Sequence, residues 1–200
     1  MGVLALSFAS VMHAAEAPLT ADSSATSGPA SIDTPSATQV APADGNSAAL
    51  LGIATIVSGQ FRVARAESLT IARAVLDAAN RFAMSPVLLL GVIATESGFN
   101  RRAVSSAGAR GLMQVLPSAH PQLLAGGKDL CDPAVNVTIG STILRGYLDD
   151  SGGDLASALS RYSGGGKGYA QRVALNMRQF STRLQARPDS FVKVAVVEPR

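Results

Sequence analysis

The run from Ser85 to Ser97, SPVLLLGVIATES, constrains this chain more than any other segment, because it is among the most apolar stretches and is punctuated as a helix at both ends. Ser85 offers a capping hydroxyl, Pro86 has its φ pre-set for a first turn, and Gly98 supplies the stop. The expected element is a short buried helix over 86–97. Near its end stands Glu96, sharing a face with Val92, Ile93 and Leu89 at i−4, i−3 and i−7. Burial disfavours a carboxylate, and so does the negative end of a helix dipole, so this glutamate should hold its proton more tightly than usual. A neutral carboxyl of that kind can protonate a leaving-group oxygen. The competing reading is a side chain that swings out at Ser97-Gly98 and is merely solvated.

From Arg65 onward the pattern is helical. Ile71, Val75, Leu76, Ala79 and Phe82 make one amphipathic face. Asp132-Pro133 opens a helix carrying Val137, Gly140, Ile143, Leu144, Tyr147 and Leu148. Asp154 can cap another with Leu155, Ala158, Leu159 and Tyr162, and after GGGKG at 164–168 a last stripe runs through Tyr169, Val173, Met177, Phe180 and Leu184. Asp149-Asp150-Ser151-Gly152 reads as a solvated turn. No strand ladder is evident before SFVKVAVV at 190–197, which is either a short strand or loose. The fold class is therefore all-α, with the domain over residues 61–187 and a tail over 188–200.

Residues 1–17 look like a signal peptide: an apolar GVLALSFASVM followed by small residues, though without a positive n-region. Residues 18–60 are expected to be a flexible linker, since Pro18 to Ser47 is Ala, Pro, Ser, Thr, Gly and Asp with hardly a large side chain to bury. Neither the leading apolar stretch nor AALLGIATIV at 48–57 reaches the roughly 20 residues a bilayer requires, so no stable membrane span is expected. The expected location is periplasmic or exported.

The first 60 residues hold no Lys or Arg, whereas 61–187 carry 15 basic and 8 acidic residues. A basic domain suits a polyanionic partner. Nucleic acid is disfavoured, because basic residues form no run and aromatics are only 4%. Cys131 is the only cysteine and His120 the only histidine beyond the leader, so no metal cluster can be assembled from them and no cofactor is implied.

After Glu96 comes NRRAVSSAGARGLMQVLPSAH, dense in small residues and suited to close approach of a ligand. Here the sequence resembles the SLT-type lytic transglycosylases, enzymes of the lysozyme-like superfamily that cleave the glycan strands of peptidoglycan. The resemblance rests on ESGFN (96–100), SSAGARGLMQVLP (105–117), LCDPAVNVTIG (130–140) and ALSRYSGGG (158–166) followed by GYAQRV, in the family's order and spacing. It implies a lysozyme-like all-α fold with Glu96 as the single catalytic acid/base. By the same resemblance Ser105 and Gln114 hold the sugar near the acid, Met113 and Leu116 give apolar wall, and Tyr162 brings a hydroxyl near Glu96. The chain departs from the family's Ala-Tyr-Asn block, reading Arg161-Tyr162-Ser163. Local alternatives stay open: Gln114 bonding only backbone, and Tyr162 packing in the core.

The implied chemistry needs one carboxylate where most glycosidases use two. Glu96 protonates the glycosidic oxygen, the substrate's N-acetyl group stabilises the anomeric carbon, and the muramic acid 6-hydroxyl closes on C1 to give a 1,6-anhydro ring. The resemblance implies peptidoglycan glycan strands as the partner; small exported members of the family often serve a secretion or conjugation machine, and a phage or general wall-remodelling role fits this chain equally well. Three rivals remain: a lysozyme-type hydrolase on the same fold, a non-catalytic peptidoglycan-binding or assembly module, and a peptidase using Cys131 with His120. Against the last, Cys131 abuts the Asp132-Pro133 helix start and lacks an orienting partner.

Overall fold

A computed structural model describes residues 45–186. They form α1 (Gly45–Phe61), α2 (Arg65–Arg81), α3 (Pro86–Glu96), a 3-10 turn (Pro121–Leu124), α4 (Pro133–Asp150), α5 (Leu155–Tyr162) and α6 (Tyr169–Gln185). Among the described residues no strand occurs; two isolated bridges, Val104 with Arg110 and Arg110 with Val115, fold the loop between α3 and α4. The all-α expectation holds. The signal-like leader, residues 18–44 of the linker and the 190–197 alternation lie outside the described residues.

The linker expectation fails over its last part, because α1 occupies 45–61. Its Ile53, Ile56 and Val57 are buried, and Leu50 and Phe61 pack on the same core. The Ala/Ser-rich composition masks an apolar face that only a partner helix could satisfy. At its end Phe61 lies 4.5 Å, centroid to centroid, from Phe99 and 6.1 Å from Phe180 of α6.

α3 is the centre of the bundle. Leu89, Leu90, Val92 and Ile93 have no exposed surface, and burying each contributes about 1.5–3 kcal/mol. Ser85 does not cap it: its side chain makes no capping hydrogen bond, and its carbonyl accepts from Leu88 and Leu89 instead. Pro86 at the first turn is sufficient. α6 crosses close at Gly91, where a Cβ would fall 2.8 Å from Met177 Cγ and 3.1 Å from the Val173 carbonyl. Asp132 and Asp154 cap α4 and α5 as expected, accepting from Val135 N at 2.9 Å and Ser157 N at 2.8 Å. Asp149 and Asp150, expected in a turn, finish α4 and pair with Arg145 and Arg161.

Candidate active site

Glu96 is the last residue of α3. The chain leaves the helix through Ser97, whose hydroxyl donates to Leu112 O at 2.8 Å, with Ile93 O 3.3 Å away as an alternative acceptor, tying the helix end to the following loop. Beside it, Thr95 Oγ1 donates to Gly91 O and accepts from Asn176 Nδ2 at 2.9 Å, clamping α3 to α6. The Tyr169 hydroxyl, at the start of α6, donates to Glu96 Oε1 at 2.6 Å. Burial raises the Glu96 pKa, outweighing the Tyr169 hydrogen bond and the positive charge of Arg172, both of which lower it. Burial and the Glu96 charge push the Tyr169 hydroxyl the same way, keeping it protonated and donating.

The 103–116 loop is held from beneath by Asn136, which has no exposed surface. Its Oδ1 accepts from Met113 N at 2.8 Å, and its Nδ2 donates to Arg110 O at 2.9 Å and Leu130 O at 3.0 Å. Gly111 sits over this amide with φ +79°, and any Cβ there would strike Asn136 and the Leu130 carbonyl. The anchored loop forms one wall of an open groove of about 440 Å³.

Glu96, Ser105, Gln114, Leu116 and Tyr162 all line this groove. The Ser105 hydroxyl accepts from Ala109 N at 3.0 Å, leaving its own proton available. Gln114, with φ +48°, spends Nε2 on Ala103 O and Gly111 O, so the backbone-bonding alternative describes its amide nitrogen while its side chain still borders the groove. Met113 differs from expectation. Its side chain is fully buried, with the Ser141 hydroxyl 3.9 Å from Sδ, and makes no part of the apolar wall. Tyr162 lines the groove with Glu96, as expected, and its hydroxyl donates to Met113 O at 2.9 Å. Burial, with the nearby Glu96 charge, drives its pKa far up.

Two residues escaped the sequence reading. Tyr169 lies on a stripe whose spacing implies core packing, and only its place in GYAQRV marks it. Asn136 could have been found as a lone amide on an apolar helix face. Among the described residues lining the groove Glu96 is the only carboxylate; His120 lines it and Cys131 does not. No group of three or more His, Cys, Asp or Glu side chains comes together among the described residues.

The transglycosylase SLT domain family matches residues 73–183, more than half of the chain and the whole of this site. Over 88 residues the chain is 40% identical to a protein named transglycosylase from Enterobacteria phage PRD1, covering 44% of this chain and 32% of the phage protein. Over 85 residues it is 42% identical to membrane-bound lytic murein transglycosylase C of Haemophilus influenzae (strain PittGG), covering 36% of this chain and 24% of that protein. It thus spans less than a third of the length of either relative. The X-ray structure of an inactive mutant of the lytic transglycosylase Slt from Pseudomonas aeruginosa superposes with a TM-score of 0.52 at 19% identity, covering 58% of this chain and 25% of that one, a likeness of fold. On the family match, with the helical architecture in agreement, the chain belongs to the transglycosylase SLT domain family.

Proposed function

We propose that this chain is a peptidoglycan lytic transglycosylase that cleaves the MurNAc-GlcNAc β-1,4 bond with Glu96 as its single acid/base. The observation that carries the reading is a proton-retaining glutamate as the sole carboxylate lining a groove bordered by Ser105 and Gln114. Protonated Glu96 gives its proton to the glycosidic oxygen as the C1–O bond breaks. The substrate's N-acetyl oxygen stabilises the positive C1. The Glu96 carboxylate then takes the proton of the muramic acid 6-hydroxyl as that oxygen bonds C1, so the acid is regenerated and no water is consumed. Tethering favours this closure, since intramolecular attack reaches effective molarities of ~10⁵ M or more. Tyr169 steadies Glu96 in its ionised phase by donating to Oε1.

The relatives named murein transglycosylases support the substrate class, and an exported location follows from it. Recruitment to a secretion or conjugation machine opening a local gap in the wall is the proposed setting.

The test is the mass of muropeptides released from purified sacculi. Anhydro-ended products are expected. Products heavier by one water would indicate a lysozyme-type hydrolase, and strands bound but uncut would indicate a binding module. Glu96→Gln should abolish release, and undiminished turnover in that variant removes Glu96 from the mechanism.

A further inference from the structure

Arg161 occupies the last turn of α5, one residue before Tyr162, and lines the groove together with Glu96, Ser105 and Gln114. Its guanidinium carbon lies 4.8 Å from the centre of the Tyr147 ring, and Nη2 lies 3.2 Å from Asp150 Oδ2. Tyr147 is in turn held edge-on against Tyr162, ring centres 6.4 Å apart. The contact with the Tyr147 ring and the ion pair with Asp150 both restrain the side chain, so less ordering remains to be done on binding. The side chain is still 49% exposed, and Asp150 is 60% exposed. Water screens such a pair, so Asp150 steadies the guanidinium without extinguishing its charge. Among the described residues neither Nε nor Nη1 makes a hydrogen bond to protein, which leaves donors for a second acceptor. Among the described residues Arg161 is the only Arg or Lys lining the groove.

A strand of neutral N-acetyl sugars needs hydroxyl and amide partners, which Ser105 and Gln114 can provide; it does not need a guanidinium. We propose that Arg161 reads a carboxylate carried by the glycan strand, borne either by the lactyl ether of the muramic acid or by its peptide stem. This rests on the reading of the groove as a peptidoglycan site. A planar fork with free N–H groups matches a carboxylate in geometry as well as charge. The arginine thus makes the groove specific for acid-bearing strands over neutral amino-sugar polymers.

The experiment measures binding rather than turnover, in a Glu96→Gln background that does not cut. Three soluble glycan oligomers serve as probes: one with peptide stems, one stripped by an amidase so that the lactyl carboxylate is free, and one stripped with that carboxylate capped as a methylamide. Calorimetry compares the parent with Arg161→Met, which keeps an aliphatic side chain against Tyr147. Affinity should fall about tenfold on a carboxylate-bearing oligomer, the scale of one charge-assisted hydrogen bond. The loss should be absent from the capped oligomer and should shrink at high salt. The oligomer that shows it identifies the source of the carboxylate.

Equal loss on all three oligomers, or no loss on any, overturns the proposal. Asp150→Asn guards against a purely structural role: if it weakens binding and lowers the melting temperature as much as Arg161→Met does, Arg161 is only a staple between α4 and α5. Oligomers that bind independently of Arg161 remove this inference alone. Oligomers that fail to bind the parent remove the glycan-site reading and this inference with it.

Discussion

Asn136→Ala is the sharpest test of how the site is built. The substitution deletes three hydrogen bonds beneath the 103–116 loop, two of them buried and the one to Arg110 O partly so. Arg110 O keeps a partner, because it also accepts from Val115 N at 3.0 Å. Met113 N and Leu130 O lose their Asn136 contacts in a site without solvent exposure. Each buried polar group left unpaired costs about 1–3 kcal/mol, giving about 2–6 kcal/mol in all, with water entry favouring the lower end. For a domain of this size 1 kcal/mol moves the melting point by about 2–4 °C, so a fall of about 5–20 °C is expected. Circular dichroism melting reads it directly. Asn136→Asp sharpens the test: it keeps the acceptor for Met113 N but turns the donor into a second anionic oxygen facing two carbonyls. Its stability should recover as pH falls and the carboxyl regains a donor proton. If Asn136→Ala melts within about 2 °C of wild type, the anchoring argument is wrong.

The raised Glu96 pKa has a stability consequence with a definite sign. At strongly acidic pH both folded and unfolded states hold the proton; above the unfolded carboxyl value the folded state keeps a proton the unfolded state has released, so stability falls as pH climbs until the folded group ionises. Glu96→Gln should therefore melt higher than wild type in mildly alkaline buffer and level with it in strong acid, and the reverse order would contradict burial as the cause. Tyr169→Phe removes a bond that stabilises the carboxylate, so the alkaline limb of the activity profile should move to higher pH. With hydrogen bonds to charged groups contributing about 1.5–3 kcal/mol, kcat/KM should drop by about one to two powers of ten; an unmoved limb would reduce Tyr169 to packing. Cys131→Ala should change stability by no more than about 0.5 kcal/mol and leave muropeptide release near wild type, whereas collapse of turnover in the folded variant would restore the thiol to consideration.

Much of the fold was legible because its signals are local. Pro86, Pro133 and the capping Asp132 and Asp154 mark helix starts where they occur, and the stripes through Val75 and Phe180 reach the core as their spacing implies. α1 was not legible. Its small residues resemble linker composition, and its apolar face becomes meaningful only against α2 and the Phe99-Phe180 pair. At the site, burial and helix position singled out Glu96 without deciding between a solvated and a catalytic side chain, and block order carried its role and those of Ser105, Gln114, Leu116 and Tyr162. Met113 could not be assigned correctly, because a side chain one position from Gln114 turns inward or outward according to a loop conformation that no periodicity encodes. The hydrogen bond from Tyr169 to Glu96 was hidden for a similar reason. Tyr162 and Tyr169 both lie on apolar helical stripes, and which one meets the acid depends on how α5 and α6 are set against α3.

The aromatic contact from Phe61 to Phe99 reaches across the edge of the region that identifies the family, which begins at residue 73. Phe99 lies three residues beyond the acid, so the ring closing over that corner comes from sequence the family signature does not include. Homology and cooperativity thus have different borders in this molecule. The segment recognisable by descent is shorter than the segment that must melt together, and a shuffled or grafted copy trimmed to the former would carry the acid into its new setting with an open seam behind it.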